Sequence, residues 1–87
     1  MYDKANLIKD IADREKIVLD YQTTGFLDRD RAIEMIIKLR LSDEDVARAT
    51  TVTLLVSSVP FSQATDQGIV EELKMQIGIL SEKLMNG

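Results

Sequence analysis

Eighty-seven residues make one domain, and a chain this short buries only about 60–65% of the surface its unfolded form exposes, so its core is thin. Fifteen Asp and Glu stand against 11 Lys and Arg, a net charge of −4, and the chain has no His, Cys or Trp. That balance excludes Cys/His zinc sites, thiol chemistry and any Ser-His-Asp or Cys-His triad within one chain, and it argues against a nucleic-acid backbone as partner.

The start, MYDKANLIKD, carries charges where a signal peptide is apolar, and the absence of Cys fits a reducing compartment. A cytoplasmic protein is expected. Residues 3–23 read as a first helix with Asp3 as its cap. Leu7, Ile8, Ile11, Ala12, Val18 and Leu19 recur at helical spacing and form its apolar side. Arg14 and Glu15 interrupt that side. They are expected to snorkel at the edge of the core, since a buried interfacial ion pair rarely repays its desolvation. Gly25 supplies the stop after Thr23-Thr24.

Phe26 and Leu27 lead to Asp28, an N-cap for a second helix, 28–40. The alternating Asp28-Arg29-Asp30-Arg31 reads as a cap with surface ion pairs. The functional alternative is an anion or small-ligand contact through Arg29 and Arg31, because helix-start N–H groups also point outward there. Ala32, Ile33, Met35, Ile36, Ile37 and Leu39 are its apolar positions.

The next stretch, SDEDVARATTVTLLVSSVP, is the one the other segments must cover. Ser42 is expected to cap a helix over 42–59, with Asp45 reaching back to it and Leu41 stapled to Val46. Asp43, Glu44 and Asp45 lie against the positive end of its dipole, which explains them without a cation, for which the ligand set is too small. Val52, Leu55, Val56 and Val59 keep helical spacing, while the β-branched run favours a strand that only two paired copies of the chain could satisfy. The uncharged run Ala49–Thr65 is 17 residues long, rich in Thr and Ser and broken by Pro60, so no membrane span is expected. LSDEDVARATTVTLLVSSV is faintly similar to helix-turn-helix DNA-binding modules through Asp45-Val46-Ala47 and Val52-Thr53. A DNA-binding regulator using residues 28–59 is what that likeness implies. Thr51 stands where a turn glycine is expected, however, and Thr53–Val59 has no Arg, Lys, Asn or Gln to read bases or hold phosphates.

After the linker around Phe61, Thr65 or Asp66 caps a last helix, 65–86. Val70, Leu73, Ile77, Leu80 and Leu84 step by 3, 4, 3 and 4, the spacing of a helix–helix seam. Glu71 and Glu72 are expected on its solvent side. Gly78 is either a tolerated flaw or a point of close helix approach.

The expected fold is all-α, a small four-helix bundle with the third helix central, completed by oligomerisation. The expected function is a non-enzymatic, protein–protein interaction one: a regulator, inhibitor or assembly component of the kind common among phage and mobile-element products. Its partner is a second copy of itself or another protein, and its contact residues are Val70, Leu73, Ile77, Leu80 and Leu84. No catalytic residue, metal or cofactor is expected.

Overall fold

The computed structural model describes residues 4–48 and 64–86, and these are helical apart from short links. Helix α1 spans Lys4–Thr24, α2 spans Arg29–Ser42, the described part of α3 is 44–48, and α4 spans Asp66–Asn86. No strand occurs among the described residues. The expected cap at Asp3 and the whole apolar stretch 49–59 lie outside them.

Local chemistry accounts for the ends. Gly25 closes α1 with φ +77°, its N–H donating to Tyr21 O at 2.8 Å, a conformation that strains any residue with a Cβ. Asp28 caps α2, its carboxylate accepting from Arg31 N–H at 3.3 Å. Thr65 caps α4, its hydroxyl accepting from Gly68 N–H at 3.0 Å.

The corner between α2 and α3 corrects the expected cap. Ser42 is the last residue of α2, and its hydroxyl donates back to Leu39 O. Asp43 is the cap instead, accepting from the N–H groups of Asp45 at 2.9 Å and Val46 at 3.3 Å. The proposed staple is absent: Leu41 is 85% exposed while Val46 is fully buried. The corner is as tight as expected, one residue, but sits further along the chain.

Helix α4 is the surface shared by α1 and α2. Two apolar lobes lie along it. The first joins Ile17, Val18, Leu27, Ala32 and Ile36 to Ile69, Val70 and Leu73. The second joins Leu7, Ile11, Leu39 and Val46 to Leu80. The lobes show that α1 runs antiparallel to α2 and α4, and that α2 and α4 start at the same end. Ile36, Leu73 and Leu80 are fully buried, each contributing about 1.5–3 kcal/mol by leaving water. Truncating Leu73 to Ala would leave a cavity costing about 2–5 kcal/mol.

The apolar side expected for α1 divides in two. Leu7, Ile11 and Val18 point inward, whereas Ala12 is exposed and Ile8 and Leu19 are 55% and 60% exposed.

Candidate functional site

Between the two lobes lies a polar layer that the helices build together. Arg14 on α1 is 4% exposed and reaches all three long helices. Its Nε donates to Gln76 Oε1 on α4 at 2.9 Å, its Nη1 to Asp10 O at 2.9 Å, and its Nη2 to Met35 O on α2 at 3.1 Å. Gln76, with no exposure, donates in turn to Ile36 O at 3.1 Å. Arg14 is therefore buried between the helices and not a snorkelling edge residue, while Glu15 is exposed. Among the described residues no buried side-chain nitrogen or oxygen is left without a partner. The layer is chemically closed, which is the requirement for a polar group in an apolar core.

Two charged ties hold α2 to α4. At the shared start, Arg29 pairs with Asp66 at 2.6 Å and donates to Ala64 O at 2.9 Å. Further along, Arg40 grips Glu72 with two bonds of 2.9 and 2.5 Å. Glu72 is buried, which corrects its expected place on the solvent side of α4, while Glu71 is exposed and pairs with Lys74.

A third cluster joins the start of α3 to the end of α4. Lys83 donates to Asp45 Oδ2 at 2.7 Å and lies 3.6 Å from Asp43 Oδ2, while Arg48 meets the other Asp45 oxygen at 3.0 Å. The Lys83 hydrogen bond, then its charge, hold the Asp45 carboxyl below its ordinary value, with a smaller share from Arg48. The same bond, foremost, raises the Lys83 ammonium above its ordinary value.

Two grooves flank α1. The one facing α2, about 740 Å³, has Arg14 and Leu39 in its wall and carries Lys9, Asp13, Arg31, Glu34 and Lys38 along its sides. The one facing α4, about 530 Å³, is more apolar, with Ala12, Val18, Leu19 and Ile77 beside Glu15, Lys16 and Gln22.

The residues expected to act are thus distributed as follows. Val70, Leu73 and Leu80 belong to the chain's own core, and Ile77 and Leu84 are half-buried at its edge. Of the anion-contact pair, Arg29 is engaged by Asp66 and Ala64, and Arg31 lines the groove between α1 and α2. The basic residues nearest the helix-turn-helix likeness, Arg40 and Arg48, are held by Glu72 and Asp45. Among the described residues no group of three or more acidic side chains could hold a metal ion, and no helix is long and apolar enough to cross a membrane.

Arg14 was expected at the edge of the core and Gln76 was passed over, although a signal for both was present. Leu7, Ile11, Arg14, Val18 and Tyr21 step by 4, 3, 4 and 3, and so do Ile69, Leu73, Gln76, Leu80 and Lys83. Each heptad carries a polar residue at its middle, and antiparallel packing brings the two into one layer.

No protein-family model matches the chain, and no curated protein or solved structure matches it.

Proposed function

We propose that this chain is a non-enzymatic interaction protein, a regulator, inhibitor or assembly component, that docks through the outer face of α1 and its seam with α4. One observation carries the reading. Ile8 and Leu19, each more than half exposed, flank Ala12 on the side of α1 away from the core, and Ile77 extends that surface onto α4. Apolar side chains gathered on one helix face beside a groove are the usual mark of a protein contact. The polar and charged clusters, by contrast, have structural employment: each ties one helix to another. Of the five contact residues expected from spacing, Ile77 is the one this reading keeps at the docking surface.

Co-purification from the native host tests it. Wild type should retain a defined protein, or additional copies of itself, that Leu19→Asp loses while keeping its helical circular dichroism. Retention of the same set by both forms, or of nothing by either, would refute the reading.

A further inference from the structure

We draw no further inference here: the strongest candidate, the charged groove between α1 and α2, sets Lys9, Arg31 and Lys38 among Asp10, Asp13 and Glu34, a balance that selects no one ligand or partner, and nothing in the structure shows what covers it.

Discussion

Replacing Arg14 by Met tests whether the polar layer is as closed as the geometry makes it. The substitution keeps most of the side chain's length and apolar stem but removes the donors to Gln76 Oε1, Asp10 O and Met35 O. The two carbonyls are helical and keep backbone partners. Gln76 Oε1 loses its guanidinium donor inside a residue with no solvent exposure, a loss of about 1–3 kcal/mol. Relief of the guanidinium's own desolvation offsets part of this, so a net destabilisation of about 1–2 kcal/mol is expected. For a chain of this length that lowers the melting temperature by roughly 5–15 °C. Adding Gln76→Leu removes the stranded group and should recover most of the loss, because well-packed apolar replacements of buried polar sets are often neutral or stabilising. Urea unfolding of wild type, both single variants and the double variant closes a thermodynamic cycle. A coupling of at least about 1 kcal/mol is expected, as for residues in one hydrogen-bonded network. If Arg14→Met alone is neutral and the cycle shows no coupling, the guanidinium does not hold the three helices together.

Asp43→Ala should destabilise the chain by about 1–2 kcal/mol in urea unfolding, whereas Ser42→Ala should stay within about 0.5 kcal/mol, since only Asp43 caps α3. Gly78→Ala should stabilise by up to about 1 kcal/mol, because a Cβ there meets nothing within 4 Å and helix propensity improves; Gly25→Ala, at φ +77°, should destabilise by about as much. The difference in stability between wild type and Lys83→Met should be level at neutral pH and shrink at both extremes. Asp45, held below its ordinary 3.8, contributes above that value and loses its contribution as pH falls through the lowered one. Lys83, raised above its ordinary 10.5, contributes below that value and loses its contribution as pH climbs through the raised one. The cluster is solvent-exposed, so molar salt should also shrink the difference; a difference indifferent to both pH and salt would deny the contact.

Helix ends were largely legible because each depends on one or two neighbouring residues. Gly25, Asp28 and Thr65 act at the positions their chemistry suggests. The corner at Ser42 was not legible in the same way, since Ser42 and Asp43 offer overlapping caps one residue apart. The choice is made at a distance. With Asp43 as cap, Val46 turns into the lobe of Leu7, Leu39 and Leu80, and Lys83 comes within reach of both Asp43 and Asp45. The core face of α4 was ambiguous for a related reason. Val70-Leu73-Ile77-Leu80-Leu84 and Ile69-Leu73-Gln76-Leu80 share two members and one spacing, and counting apolar residues favours the first. The structure turns Ile69, Glu72 and Gln76 inward because Arg14 and Arg40 are there to meet the polar ones. A polar residue at a core position becomes visible only with its partner, and these partners lie 32 and 62 residues away.

The two adjacent charges in α1 make the same point from opposite sides. Arg14 stands at the middle of the inward-facing heptad of α1, and Glu15 lies on the exposed side of the same helix with Ile8, Ala12 and Leu19. Arg14 is answered within the chain by Gln76 and two backbone carbonyls, which fixes how the helices slide against one another: a shift of one turn would move its guanidinium against Leu73 or Leu80. Glu15 makes no ion pair among the described residues, and it shares its side of α1 with the exposed Ile8 and Leu19. Ile8 and Leu19 are 55% and 60% exposed, so covering them would recover roughly half of the about 1.5–3 kcal/mol that full burial of such a side chain contributes. A chain with so thin a core gains more from covering that face than from any adjustment inside, where Ile36, Leu73 and Leu80 already have no exposure to lose.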